Sequence, residues 1–139
     1  HMLVASSMGS TAFQKGLGAI HSLSHPVGAI YNTHHGLTNA VFMPYVLIKN
    51  KEAIEDRIEN LSRYINLSNP DFDGFMNWIL DLRKELEIPH TLKMLIEDDS
   101  KFEKMSVMAL NDPSTSGNPV KLASNEFLKL YRNSFDGIL

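Results

Sequence analysis

Residues 16–36 read Gly16-Leu17-Gly18-Ala19-Ile20-His21-Ser22-Leu23-Ser24-His25-Pro26-Val27-Gly28-Ala29-Ile30-Tyr31-Asn32-Thr33-His34-His35-Gly36. Four of the chain's 6 histidines lie in this stretch, spaced His21-x3-His25-x9-His35. Residues four apart on an α-helix share a face, about 5–6 Å apart at Cβ, so His21 and His25 address one space. His35 opens the next apolar segment after a short connection and can return to that space, with Gly36 permitting close backbone approach. Three imidazoles near one point suit Fe(II), Zn(II), Cu or Ni. The plainer reading makes them hydrogen-bonded core or surface histidines. Three together on Gly-rich, apolar segments favour the metal. His34 cannot aim where its neighbour aims, so it is expected to face solvent or stand beside the metal. His90, in a Pro-His-Thr turn, reads as ordinary. No carboxylate is near in sequence. Glu52 and Glu55 come closest and belong to a charged, solvated face. A further ligand must fold back from afar or lie outside this chain.

Working outward, helical periodicity dominates and strand alternation is nearly absent. Ser6–Ser24 reads as one buried helix, because Gly9, Gly16 and Gly18 would each weaken a surface helix by about 1 kcal/mol. Pro26 should limit it, leaving Pro26–Thr33 as a connection. His35–Asn50 is apolar on every side and so central, with Pro44 kinking or splitting it. Lys51–Leu67 carries one stripe at Ile54, Ile58, Leu61 and Ile65. Ser68-Asn69-Pro70-Asp71 is turn chemistry with a cap. An amphipathic helix from Phe72 to Leu86 follows, then a short turn at Thr91–Ile96. A helix capped by Asp99 or Ser100 should run to Leu110. Asp112–Pro119 is a loop by composition. Ser124 caps a last helix that buries Phe127, Leu128, Leu130 and Tyr131. The expected fold is all-α, a bundle of six to seven helices.

The 139 residues make one domain. His1-Met2 reads as a tag scar, leaving residues 3–139 as the domain. Hydrophobic residues are 43% and charged residues 21%, enough to fill a core. A net charge of −3 argues against an electrostatic nucleic-acid binder. With 0 cysteines, disulfides and thiolate metal sites are excluded. No signal peptide or membrane span is recognisable, so a cytoplasmic protein is expected.

The run Gly16–Ala29, continued by His35-Gly36 and Met43-Pro44, resembles the signature of the iron-containing (group III) alcohol dehydrogenases. Ala109-Leu110-Asn111-Asp112 and Gly117-Asn118-Pro119 resemble that family's C-terminal segment. The resemblance implies the helical C-terminal domain of the iron-containing alcohol dehydrogenase and dehydroquinate synthase-like superfamily. It implies hydride transfer between a small alcohol or aldehyde and NAD or NADP. It also implies Fe(II), or Zn(II) in some members, acting as a Lewis acid on the alcohol oxygen. By the same resemblance His21 and His35 are metal ligands. His25, which spacing alone nominates as a third ligand, becomes a catalytic residue beside metal and nicotinamide, and Phe13 lines the substrate pocket.

No Gly-rich phosphate loop follows a strand here, so no cofactor-binding residue is assigned. The nucleotide-binding domain and the remaining metal ligands are expected to be missing from this chain, which is then inactive alone. Surfaces that would face that domain should be apolar and drive homo-oligomer formation. Competing readings are a glycerol dehydrogenase-like or dehydroquinate synthase-like fragment, and a non-enzymatic helical metal-binding protein.

Overall fold

The computed structural model describes residues 1–139 as six helices joined by turns, with no strand. They are α1 (Met2–Phe13), α2 (Ala19–Tyr31), α3 (His35–Tyr64), α4 (Phe72–Glu85), α5 (Phe102–Leu110) and α6 (Ser124–Asp136). Short 3-10 turns fall at Leu92–Met94 and Pro113–Gly117.

The core gathers Ala19, Leu23 and Val27 of α2, Val41, Phe42, Tyr45 and Val46 of α3, Phe102, Met105 and Ala109 of α5, and Phe127, Leu130 and Tyr131 of α6. Each fully buried Leu or Phe contributes about 2 kcal/mol. Tyr131 sits at the centre. Its ring stacks on Phe102 at 5.4 Å and meets Phe42 edge-on at 5.6 Å. Its hydroxyl donates to the Leu23 carbonyl at 2.7 Å.

The Gly-rich start is two elements rather than one buried helix. No residue of α1 is buried. The chain breaks at Gln14–Gly18, where Gly16 has φ +100°, a conformation favouring glycine. Gly9 faces open space, so close packing does not account for it. Gly18 does meet a neighbour: a Cβ there would stand 3.0 Å from Asn118 Oδ1.

Pro26 does not end its helix. It lies buried inside α2, which continues to Tyr31 and ends on left-handed Asn32. The lost N–H bond is outweighed because α2 packs against α3, α5 and the 3-10 turn at Pro113–Gly117. His35–Asn50 and Lys51–Leu67 likewise form one 30-residue helix running through Pro44. Its first half crosses the core and its second half carries α4.

Asp71 caps α4 as expected, accepting from the Gly74 N–H at 2.7 Å. On α4, Leu82 and Leu86 are exposed while Arg83 is buried. The Arg83 guanidinium reaches back to the Pro89 carbonyl at 3.0 Å, which turns its side inward. Neither Asp99 nor Ser100 caps α5; its N-cap is Lys101, and Ser100 instead donates to Asp98. Ala123 holds the N-cap position of α6, with Glu126 accepting from its N–H at 2.8 Å. Ser124 is spent on Ser106, 3.1 Å away. No helix is long and apolar enough to cross a membrane.

Candidate metal centre

Two helix positions and one helix start build the site. His21 and His25 lie one turn apart on α2, and His35 begins α3. The left-handed residue Asn32 turns the chain back between them. Ring centroids are 5.2 Å apart for His21–His35, 5.3 Å for His25–His35 and 5.8 Å for His21–His25. The three histidines nominated by spacing are therefore neighbours in space.

Their nitrogens are not used alike. His21 Nε2 and His35 Nε2 both face the Asn39 side-chain amide nitrogen, at 3.2 Å and 3.0 Å. Asn39 stands one turn after His35 on α3. His25 turns its Nδ1 to Asp112 Oδ2 at 2.7 Å. No group of three or more His, Asp or Glu side chains converges on one ion position. His35 Nδ1 lies 3.5 Å from the Ser24 hydroxyl, itself bonded to the His21 carbonyl.

Asp112 is the carboxylate that folds back from afar. It caps the 3-10 turn Pro113–Gly117, its Oδ1 accepting from the Ser114 N–H at 2.8 Å. Thr115 fastens that turn to α2 and α5, donating to the Ala109 carbonyl at 2.6 Å and pairing with the Ser22 hydroxyl at 2.7 Å. Asp112–Pro119 is thus a pinned turn that places a carboxylate behind His25. Asp112 and Asn39 are the site residues that sequence reasoning missed. Asn39 carried a signal, its i+4 spacing from His35; Asp112 stood in a quoted motif without an assigned role.

The electrostatics favour neutral imidazole. Burial first, then the neighbouring His35 and His25, hold the His21 pKa below its ordinary value, while Asp112 opposes them. Neutral imidazole is the form that binds a metal. Burial pushes the Asp112 carboxyl upward, but hydrogen bonds from His25 and Ser114 outweigh it and leave its pKa lowered.

Phe13, at the end of α1, sets its ring edge toward His21 at 6.2 Å and is 57% exposed. His34 stays off the cluster, its Nδ1 accepting from the Leu37 N–H at 3.2 Å as the cap of α3. Gly36 meets the His34 ring rather than another backbone. Grooves of about 480 Å³ and 420 Å³ beside α4, and of about 310 Å³ between α3 and α6, lie away from His21, His25 and His35. The site is an open face rather than a pocket.

Residues 1–135 match the profile of the Fe-containing alcohol dehydrogenase family, C-terminal. The chain belongs to the iron-containing alcohol dehydrogenase family. It is 34% identical to 4-hydroxybutyrate dehydrogenase of Cupriavidus necator, over 96% of this chain and 37% of that protein. It is 30% identical to NADPH-dependent butanol dehydrogenase of Clostridium saccharobutylicum, over 98% of this chain and 37% of that protein. It superposes on the solved iron-containing alcohol dehydrogenase of Thermococcus thioreducens with a TM-score of 0.77 and 29% identity. That match covers 87% of this chain and 32% of the other. The chain spans about a third of the length of the relatives it matches.

The family implies iron, and the donor set fits it in part. Two imidazole nitrogens lie within hydrogen-bond reach of one atom, which suits two ligands of a borderline divalent ion. His25 instead turns its Nδ1 to Asp112.

Proposed function

We propose that residues 3–139 form the metal-holding, substrate-facing domain of an iron-dependent dehydrogenase acting on a small alcohol or aldehyde with NAD or NADP. The observation that carries this is the convergence of His21 Nε2 and His35 Nε2 on one point beside a carboxylate-backed His25. His21 and His35 hold Fe(II), with Zn(II) as the alternative ion. When bound, the metal supplies Lewis acidity toward the substrate oxygen.

The chain's own residues do the rest. His25, fixed through Nδ1 by Asp112, offers Nε2 to the open face and moves the proton of the substrate hydroxyl as a general base or acid. Phe13 supplies an apolar wall for the substrate's carbon chain. Two imidazoles are an incomplete set, so the remaining ligands and the dinucleotide site belong to a nucleotide-binding part that joins this face. That part selects NAD or NADP. Leu3, Val4 and Met8 of α1 are all exposed, and we assign them to contacts that assemble a homo-oligomer.

The test is a graft. The chain replaces the matching C-terminal third of the Cupriavidus necator relative, and NAD(P)H formation is followed with small primary alcohols and diols. Turnover that disappears in His21→Ala and falls in His25→Ala is expected. A folded, iron-loaded graft with no turnover on any of them overturns the reading.

A further inference from the structure

Two pairs of side chains join α2 to the 3-10 turn that follows α5. Ser22 meets Thr115 at 2.7 Å, and His25 meets Asp112 at 2.7 Å. The partners step by three residues on each side, forward on α2 and backward along the turn. Residues three apart share a face of an α-helix, and they eclipse in a 3-10 turn. The two pairs are therefore consecutive rungs of one antiparallel clamp.

The rungs differ in their surroundings. Ser22 is fully buried, whereas the His25 side chain is 42% exposed. A solvent-facing pair competes with water and holds little by itself. The inner rung is better anchored. The Thr115 hydroxyl lies between the Ser22 hydroxyl and the Ala109 carbonyl, 2.6 Å away. That carbonyl also accepts from the Asp112 N–H at 3.2 Å, and the Asp112 carbonyl accepts from the Thr115 N–H at 3.0 Å. Ser22 thus grips, through Thr115, the backbone that carries Asp112. An ionised carboxylate only accepts, so His25 presents Nδ1–H to Asp112 and keeps Nε2 bare.

We propose that the Ser22–Thr115 pair is a positioning device for His25. It sets the register in which Asp112 meets the ring, and so keeps the neutral imidazole in the one tautomer whose Nε2 can take a proton. The proposal rests on the reading of His25 as the group that moves the substrate proton.

The experiment uses the full, metal-free chain at about pH 8, where an ordinary histidine is neutral. Long-range ¹H–¹⁵N NMR reads the tautomer of each imidazole in wild type, Ser22→Ala, Thr115→Val and Thr115→Ser. Circular dichroism checks folding. His90, which belongs to the groove beside α4, is the internal control.

Wild type is expected to show His25 as a single Nδ1–H tautomer. Ser22→Ala and Thr115→Val should turn it into a mixture of both tautomers while His90 stays as in wild type. Thr115→Ser keeps the hydroxyl and should keep the single form. A single Nδ1–H form in Ser22→Ala or in Thr115→Val overturns the proposal and leaves the role of His25 standing. A mixture in Thr115→Ser, or an equal change at His90, assigns the effect to packing and overturns it too. A wild type without the Nδ1–H form overturns both the proposal and the Asp112-backed reading of His25. Should Thr115→Val fail to fold, Ser22→Ala decides, since alanine suits a helix interior.

Discussion

Asp112 and Asn118 stand at the two ends of the 3-10 turn between α5 and α6, and they spend their polar atoms in opposite ways. Asn118 turns inward. Its Oδ1 accepts from the Ala19 N–H at 3.2 Å and the Asn50 amide at 3.0 Å, and its Nδ2 donates to Asn50 Oδ1 at 2.9 Å and the Val120 carbonyl at 2.7 Å. Every valence ends on an element of the fold: the start of α2, the middle of α3, the entry to α6. Asp112 also bonds its own turn, but its other oxygen goes to His25, whose ring is 42% exposed. One end of the turn holds three helices together, and the other aims an imidazole at solvent. A polar residue satisfied wholly within the fold serves architecture. A half-buried acid whose partner faces outward serves chemistry.

That contrast predicts a gap in stability. Asn118→Ala strips partners from the Asn50 amide and from the first N–H of α2, all part-buried. It should cost about 3 kcal/mol, since each orphaned group costs about 1–3 kcal/mol. Urea unfolding measures it. A loss below about 1 kcal/mol would mean that water replaces the network, and the architectural role of this end would be gone.

Gly117, between the two ends, sharpens the comparison. A Cβ there would collide with the Leu17 carbonyl oxygen, so the turn presses directly on the chain entering α2. Gly117→Ala should cost about 2 kcal/mol through backbone displacement, read from the shift of the urea midpoint. It should also loosen His25 from Asp112, since the displaced turn carries the carboxylate. A variant that loses stability while its His25 imidazole NMR signals stay unchanged would show the two ends to be mechanically independent.

How far these arrangements can be read in the sequence follows the same division. The Asp71 cap is a local pattern and appears where the sequence puts it, whereas the stripe of Lys51–Leu67 appears only in part: Ile54 and Ile58 are half-buried, Leu61 and Ile65 are exposed, and Ser62 is buried instead. Pro26 misleads because its local cost is offset by packing that only the folded chain supplies, and the Gly-rich start misleads because Gly9 and Gly16 meet no neighbour and α1 buries nothing. The same composition gives α1 with nothing buried and α2 with Ala19, Ser22, Leu23, Ser24, Pro26 and Val27 buried. His21, His25 and His35 are found together because helix geometry and one short turn bring them so. The carboxylate behind His25 lies 87 residues away, and no periodicity reaches that far.

Asp112 itself gives the third prediction. Its pKa is lowered in the folded chain, so the stability it contributes is present above the unfolded carboxyl value, about 3.9. It is lost as pH falls through the folded value. Asp112→Asn should therefore cost about 1 kcal/mol near neutrality, and the difference from wild type should shrink only below about pH 4. Urea unfolding at a series of pH values follows it. A difference that persists unchanged into acid would place the effect in the Ser114 cap rather than in the charge.

His21 supplies the smallest effect and the finest test of which groups govern the site. Its pKa is lowered, the reverse of a histidine that gains an acid. In metal-free protein the unfolded chain then takes up the proton first, near pH 6.5. Stability is complete above that value and declines as pH falls through it toward the folded pKa. His21→Gln has no such proton, so wild type should lose a few tenths of a kcal/mol against it on acidification from about pH 7.5 to about 5.5. The size stays small because the ring is partly solvated. This window lies above the Asp112 window, which lets one pH series separate them. The opposite sign, with wild type gaining against the variant as pH falls, would mean that the Asp112 charge outweighs burial and the two neighbouring rings at His21. The carboxylate would then govern the whole histidine face rather than His25 alone.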